Sequence, residues 1–200
     1  MATKVGSKEG LDAENKPKTA SYKVFEAARE LFYRRGIRAV GVDEIVCEAG
    51  VTKPSLYRAF KSKDDLVTAC LKESAREGQE AISDCLATAG TDPQQRLRAV
   101  IQHYADKIAC PEFRGCAISN VAVELPETGH PGRVVIEECK SDLRSRMAEL
   151  ARELPVRDPG ALADGIILVI EGAFATHHVF GSQGPAQSLV ATCDALIQAH

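Results

Sequence analysis

Two short amphipathic segments joined through a glycine are the feature that most limits how this chain can fold. They occupy residues 42–49 and 53–60, and apolar side chains at helical spacing give each segment one face to bury. Gly50 lies between them and can adopt the left-handed backbone that a tight turn needs. Thr52 and Pro54 suit the start of the second segment, because threonine caps helices and proline is tolerated in a first turn. The pattern predicts a helix-turn-helix.

Helical spacing also dominates the rest of the sequence, in which we find no alternating strand pattern. One helix should precede the helix-turn-helix, capped by Thr19 and stopped at Gly36. Later helices are predicted over about 64–89, from Asp92 to Pro111, as a short piece within 113–125, over about 132–154, from Asp158, and from Ala186. The sequence therefore predicts an all-α fold, with an N-terminal three-helix helix-turn-helix domain and a C-terminal helical domain.

The charge of the chain is distributed unevenly along its length. The net charge is −3, but residues 16–63 carry eleven lysines and arginines against five acids, whereas residues 64–200 carry twelve against twenty. A basic block on an acidic body is expected when one part of a protein meets phosphates and the rest does not. Residues 1–16 are too polar to pack. We therefore predict a disordered arm at 1–16, a DNA-binding domain at 17–63 and a helical body at 64–200.

Several functional classes are disfavoured by what the sequence lacks. The seven cysteines are scattered singly, without the CxxC pairs of zinc sites, and are interpreted as reduced thiols. We find no run of about 18 apolar residues and no export signal. No catalytic constellation or glycine-rich phosphate loop is evident either. The expectation is a cytoplasmic protein without a cofactor, a metal site, catalytic residues or membrane contact.

Residues 25–66 carry the most information about function. They read FEAARELFYRRGIRAVGVDEIVCEAGVTKPSLYRAFKSKDDL. In this order, the AARELF core, the DEIVCEAGV segment, the LYRAF signature and the FKSKDDL run closely resemble the TetR family of transcriptional regulators. The resemblance covers about a quarter of the chain. It implies a DNA-binding protein that is a repressor released from a palindromic operator by a small molecule.

The resemblance also implies which residues contact double-stranded DNA: Thr52, Lys53, Pro54, Ser55, Tyr57, Arg58, Lys61 and Lys63. Residues 53–55 should face base edges, since lysine can donate to guanine and a proline ring can touch a thymine methyl group. Thr52, Tyr57 and Lys63 resemble the family's phosphate contacts, which set affinity and register. The other two residues should add charge beside the DNA backbone.

Two positions depart from the family pattern. Ala59 stands where many members have an aromatic residue or histidine, and Gly41 with Val42 stands where the second helix often begins with serine or threonine. One DNA contact and one helix cap are therefore expected to be missing. Lys16 and Lys18 of the arm are further candidates for contacts along the DNA backbone.

The carboxyl-terminal part is predicted to build a homodimer. The helix from Asp158 is too apolar for a lone surface helix, and together with the last helix it could form a four-helix bundle with its symmetry mate. Two recognition helices paired in this way should read half-sites roughly 34 Å apart.

The same resemblance implies a pocket for an unknown small-molecule effector. Candidate ligand-binding residues are polar or aromatic groups on otherwise apolar faces: His103, Tyr104, Phe113, Cys116, Asn120, Glu124, Phe174 and His177. Each has a purely structural alternative, because such histidines and aromatic residues also serve as core or interface residues. Asn120 and Glu124 are four residues apart, so they share a helix face and would need polar partners if buried.

Two alternative functions fit parts of the sequence. Cys110 and Cys116 flank Arg114, which could activate a thiol, so the chain could be a redox-sensing regulator whose pair closes on oxidation. Unreactive thiols are the simpler interpretation. The chain could also be a DNA-independent adaptor that dimerises through its last helices, in which case substitutions of Tyr57 and Lys63 would leave its function unchanged.

Overall fold

The computed structural model describes residues 19–127 and 129–200, and the part of the chain that it describes is helical without strands. The helices are α1 (Ala20–Arg35), α2 (Val42–Ala49), α3 (Lys53–Ala59), α4 (Lys63–Thr88), α5 (Pro93–Ala109), α6 (Ala117–Glu124), α7 (Pro131–Arg152), α8 (Pro159–Phe180) and α9 (Leu189–Ala199). The predicted all-α fold is confirmed. The predicted arm and residues 16 and 18 lie outside the described residues.

Local capping signals explain four of the helix starts. The side chains of Thr19, Ser62, Asp92 and Asp158 accept hydrogen bonds from backbone N–H groups in the first turns of α1, α4, α5 and α8. Gly41 precedes α2 without any side-chain cap, as the departure from the family pattern predicted.

The last helix begins later than the sequence predicted. Gly181 ends α8 with a positive φ of 63°, and two short 3₁₀ turns, Gly181–Gln183 and Pro185–Ser188, follow it. Gly184 and Pro185 resist a continuous α-helix, because glycine is flexible and proline lacks an N–H group. The residues from Pro185 to Ser188 form a 3₁₀ turn, so α9 starts at Leu189 rather than at Ala186.

The apolar side chains form two groups. The first, here the amino-terminal cluster, has Val24, Ile45 and Leu56 at its centre, none of them exposed. The second, here the body cluster, is built from α5, α7, α8 and α9 around residues such as Met147 and Ile166, which are also fully buried.

The amino-terminal cluster reaches beyond residue 63. It includes Leu66 and Leu71 of α4, Ile118 and Val121 of α6, and Val135 of α7. Three helices of the body therefore share a core with the helix-turn-helix. Because of this packing, the body contacts the helix-turn-helix directly, and the predicted boundary at residues 63 and 64 does not separate two independent cores.

Helix α8 is unusually apolar. The stretch Pro159–Gln183 has a mean hydropathy of 1.4 and is long enough to cross a membrane, by length and composition only. Core helices of soluble proteins pass the same test, and Ile166 and Ile170 of α8 are buried in the body cluster. Other apolar residues of α8 are exposed, and Leu168 and Val179 expose 73% and 75% of their surface.

Candidate DNA-binding surface and ligand cavity

The turn between α2 and α3 has the geometry that the sequence predicted. Gly50 adopts a left-handed conformation, with φ 62° and ψ 41°, and donates its N–H to the carbonyl of Cys47. Ile45 and Leu56 anchor the two helices, and neither side chain is exposed. Helix α3 is therefore held through one face, while its other face remains open to solvent.

The predicted DNA-contacting residues lie on or beside this open face. Exposed among them are Thr52, Lys53, Pro54, Tyr57, Arg58 and Lys61, whereas Ser55 and Lys63 are half-buried. The hydroxyl oxygens of Thr52 and Ser55 lie 3.0 Å apart, so these two side chains bond to each other at the start of α3. The surface combines hydroxyl groups with positive charges, both of which suit phosphate oxygens.

Lys53 is already paired with a carboxylate. Its Nζ lies 2.6 Å from Oδ1 of Asp43 in α2, and both side chains are largely exposed. The hydrogen bond to Asp43 raises the pKa of Lys53, so the amino group stays charged. Any base or phosphate acceptor that binds Lys53 must compete with Asp43.

Lys63 occupies a different environment from the one expected of a free phosphate contact. Its ammonium group donates to the backbone carbonyl of Ile37 and lies 5.9 Å from the ring centre of Phe32. Both partners belong to α1 and the turn that follows it. In this structure Lys63 therefore joins α4 to the end of α1.

A Lys63→Met variant distinguishes a structural role of this lysine from a contact with a DNA phosphate. Because the lysine satisfies a carbonyl beneath the helix-turn-helix, we expect the free energy of unfolding to fall by about 1–2 kcal/mol. Urea denaturation measures this loss. The salt dependence of DNA binding should remain unchanged; a slope reduced by about two units, one for each subunit of the predicted dimer, would instead show that Lys63 neutralises a phosphate.

A large cavity lies between α1, α4, α5, α6, α7 and α8. Its volume is about 1050 Å³, which is large enough for a small organic molecule. Apolar side chains, such as Leu71, Ile118, Leu143 and Ile170, form much of its wall. The cavity thus borders both the amino-terminal cluster and the body cluster.

A chain of polar groups crosses one wall of this cavity. Lys140 of α7 donates to Glu171 of α8 at 2.5 Å, and Ser119 of α6 donates to the other carboxylate oxygen at 2.9 Å. Burial opposes the charged form of Lys140, but neighbouring Cys116 and the bonded Glu171 outweigh it, so its pKa is raised. The polar groups tie three helices together at the cavity.

Five of the eight predicted ligand-binding residues line the cavity: His103, Tyr104, Cys116, Asn120 and Phe174. Burial raises the pKa of the Tyr104 hydroxyl and lowers the pKa of His103, so it favours the neutral form of both side chains. The Asn120 amide donates to the carbonyl of Arg114 at 2.7 Å, which fixes the loop before α6.

The other three predicted residues, Phe113, Glu124 and His177, are not among the lining residues. Phe113 packs its ring against Phe174 and His177, with centroids 5.4 and 5.3 Å apart. Glu124 accepts hydrogen bonds from the backbone N–H groups of Ile37 and Arg38, at 3.2 and 2.9 Å. Phe113 and His177 thus pack beside Phe174, and Glu124 lies at the turn after α1; a ligand role for these three residues stays a prediction.

Sequence reasoning missed Lys140, Glu171 and Ser119. They lie on three helices, and no short-range spacing connects them. One signal was available: Glu171 is the single charged residue between positions 165 and 176, within the most apolar helix. A lone carboxylate there needs a partner, because burying an unpaired charge is costly. Among the described residues, no group of three or more metal-ligating side chains is assembled.

Comparison with known proteins relates both parts of the chain to one family. The family model described as "Bacterial regulatory proteins, tetR family" matches residues 24–70. The HTH-type transcriptional activator FasR of Mycolicibacterium smegmatis is 37% identical over 125 residues, which are 60% of this chain and 56% of FasR. The chain therefore matches little more than half of FasR.

Two solved structures share the whole fold. SCO4454, a TetR-family transcriptional regulator from Streptomyces coelicolor, superposes with a TM-score of 0.86 at 27% identity, over 90% of this chain and 95% of its own. A putative TetR-type regulator of Streptomyces avermitilis, sav143, gives a TM-score of 0.79 at 32% identity, over 90% and 97% of the two chains. The chain belongs to the TetR family of DNA-binding transcriptional regulators, which are not enzymes.

Proposed function

We propose that this protein is a cytoplasmic repressor that binds a palindromic operator as a homodimer and is released when a small molecule occupies the cavity. The observation that carries the proposal is the open face of α3. Its residues 52–58 present hydroxyl and basic groups to solvent, while Leu56 fixes the helix from below. The relative FasR is named as a transcriptional activator. A reporter assay therefore has to show whether this protein represses or activates transcription.

On DNA, α3 is the recognition helix. Lys53 and Pro54 lie at its start and reach base edges, with Lys53 exchanging Asp43 for a guanine acceptor. Thr52 and Tyr57 bind phosphate oxygens, and Tyr57 leaves 49% of its surface exposed for this contact. Ser55 supports Thr52, and Arg58 and Lys61 add positive charge beside the backbone, while Lys63 supports the fold.

Helix α6 connects the cavity to the DNA-binding element. Ile118, Asn120 and Val121 of α6 line the cavity, and Glu124 at its end holds the turn between α1 and α2. A ligand that displaces α6 would therefore displace this turn. By thermodynamic linkage, a ligand that prefers the shifted state must bind more weakly when operator is bound.

The dimer forms through α8 and α9. Leu168, Gly172, Ala175 and Val179 of α8 are all exposed and follow one another at intervals of four, three and four residues. This spacing places them on one face of the helix, as a stripe that could pack against its symmetry mate. We refer to these four residues as the α8 stripe.

The first experiment selects binding sites from sheared genomic DNA with the purified protein. An inverted repeat should be enriched, and its affinity should fall steeply with salt. A Tyr57→Ala variant should bind this repeat about tenfold more weakly, because a hydrogen bond to a charged phosphate is lost. Fluorescence anisotropy measures the dissociation constant, and circular dichroism checks that the variant is folded.

A matched pair of arginine variants provides the control. Arg58→Ala removes one charge from α3 of each subunit and should reduce the salt slope of the bound dimer by about two units. Arg152→Ala removes the same charge from the exposed end of α7 and should leave the slope unchanged. If no sequence is enriched, the DNA-independent adaptor replaces the repressor. If a repeat is enriched but Tyr57→Ala and Arg58→Ala bind it like wild type, the contacts assigned to α3 are wrong.

A further inference from the structure

Cys116 has surroundings unlike those of a cysteine in a simple apolar core. It precedes the first turn of α6 as its N-cap residue, is half-buried and lines the cavity. The Nζ of Lys140 lies 3.8 Å from its Sγ, close enough for the ammonium group to donate to sulfur. The sulfur makes no capping hydrogen bond to α6, so the positive charge beside it is that of Lys140, on the wall of an apolar cavity.

A raised pKa or a position outside the cavity distinguishes the other described cysteines from Cys116, although Cys70 and Cys139 line the same cavity. Burial raises the pKa of Cys70 to about 12 and that of Cys193 to about 11, and it also raises the pKa values of Cys85 and Cys139. These four thiols stay protonated and are poor nucleophiles. Cys47 and Cys110 are exposed and do not line the cavity, and the Cys110 thiol donates to Glu112 at 3.2 Å.

The contacts of Cys116 also separate it from the pairing with Cys110 that the sequence suggested. Its cationic neighbour is Lys140, which comes from α7 rather than from the loop that contains Arg114. The backbone of Arg114 is held by the Tyr33 hydroxyl and the Asn120 amide. The reactive environment is therefore built inside the cavity, where a guest molecule would meet it, and it requires no second thiol.

We propose that Cys116 is a covalent attachment site for apolar electrophiles that enter the cavity, namely carbonyl compounds conjugated to a carbon–carbon double bond. The apolar wall selects a hydrophobic body, and sulfur is the soft nucleophile that such an alkene accepts. The ammonium group of Lys140 has three donor hydrogens. One donates to Glu171 and one to Cys116, so the third can bind the carbonyl oxygen of the guest molecule. The role of this site as an effector site rests on the function proposed above.

The reaction balances without an oxidant or any other co-reactant. A bond forms between Sγ of Cys116 and the β-carbon of the guest, while the carbon–carbon π bond breaks. Its electron pair moves through the α-carbon to the carbonyl oxygen and gives an enolate, which the Lys140 ammonium stabilises by hydrogen bonding. The thiol proton finally resides on the α-carbon. The product is a saturated ketone joined to the protein by a thioether, heavier by the mass of one guest.

The test uses 4-phenyl-3-buten-2-one as the probe and its saturated analogue, 4-phenyl-2-butanone, as the control. Intact-mass spectrometry follows adduct formation, and peptide mapping identifies the modified cysteine. We expect Cys116 to react about tenfold faster than Cys110 or Cys47, and the saturated ketone to leave every cysteine unmodified. Equal rates at Cys116 and the two exposed cysteines would overturn the proposal.

Charge variants test the part played by Lys140. Lys140→Gln should slow modification of Cys116 about tenfold and leave the rate at Cys110 unchanged. Lys140→Gln leaves the Glu171 carboxylate without its cation. A Lys140→Gln/Glu171→Gln variant is therefore measured as well, because it removes both charges and keeps a polar contact between the two side chains. If either folded variant retains the wild-type rate at Cys116, the lysine has no role and the proposed site is wrong.

The mass measurement needs no DNA, so it fails or succeeds independently of the proposed repressor. Wild type and Cys116→Ser are then compared on the selected operator, each with and without the enone. Release of wild type and retention of Cys116→Ser support a covalent effector site. An adduct at Cys116 in a protein that binds no DNA would contradict the repressor while leaving the attachment site intact, and an adduct that leaves operator affinity unchanged would contradict its role in release.

Discussion

A Leu168→Glu variant is expected to be monomeric and to bind the operator at least about a hundredfold more weakly than wild type. Leu168 exposes 73% of its surface and begins the α8 stripe. In a two-fold interface the same patch contacts itself, so one substitution places two carboxylates in the interface. Burying them without partners is costly, and the interface should separate.

The affinity falls because a monomer has only one recognition helix, and not because α3 itself changes. A dimer that has bound one half-site holds its second recognition helix at a high effective concentration near the other, and this advantage is worth about 10²–10⁴ in affinity. A monomer loses it entirely. Light scattering during gel filtration measures the mass, and anisotropy on the operator and on an isolated half-site measures binding. The affinities of variant and wild type for the half-site should be similar.

Val123→Glu is the matched control for this experiment. Val123 lies near the end of α6 and exposes 84% of its surface, so it offers an equally open apolar side chain away from α8. The control variant should remain dimeric and keep its operator affinity. A dimeric Leu168→Glu protein at micromolar concentration would show that the α8 stripe is not the interface, and other exposed faces would have to be considered.

The sequence predicts the fold well where the relevant signals are local. Thr19, Asp92 and Asp158 each lie next to the helix they begin, and the structure shows each side chain bonded to the first turn. Gly50 lies between two amphipathic segments, and this position likewise predicts its left-handed backbone conformation. Such features depend on neighbours within four residues, so one-dimensional patterns capture them.

The recognition surface is equally local, whereas the cavity is not. Residues 52–58 are contiguous, and one buried position at Leu56 decides which side faces outward. The polar wall of the cavity joins Ser119, Lys140 and Glu171 from three helices, and no interval along the chain relates them. A sequence pattern can show that a residue is buried, but tertiary packing decides which cavity or core it faces.

Two charged residues between the helical body and the helix-turn-helix also show that the sequence pattern does not predict tertiary contacts. Lys63 and Glu124 both have the chemistry of ligand contacts, and both are bonded to the backbone of the turn after α1. Their distance from that turn along the chain is 26 and 86–87 residues. The structure therefore assigns to these two side chains a connection between the body and the helix-turn-helix that the sequence pattern did not reveal.

Gly36→Ala is expected to lower the free energy of unfolding by about 3 kcal/mol or more, and Tm by about 6–12 °C. Gly36 has φ 83° and ψ 157°, a region that is nearly restricted to glycine and costs other residues about 1–3 kcal/mol. An added Cβ would also lie 2.7 Å from Oε1 of Glu124. That flexible side chain could withdraw, but only by giving up the N–H groups of Ile37 and Arg38.

Gly50→Ala separates the backbone cost from the loss of the Glu124 contact. Gly50 also has a positive φ, but a methyl group added there would meet no neighbouring side chain within 4 Å, so only about 1–2 kcal/mol should be lost. Urea denaturation of both variants, and of Gly36→Ala in a Glu124→Ala background, provides the comparison. If Glu124 clamps the turn, Gly36→Ala should cost less when Glu124 is absent. Equal costs in both backgrounds would contradict the clamp, and α6 would then have to act on the recognition helix through the shared apolar cluster alone.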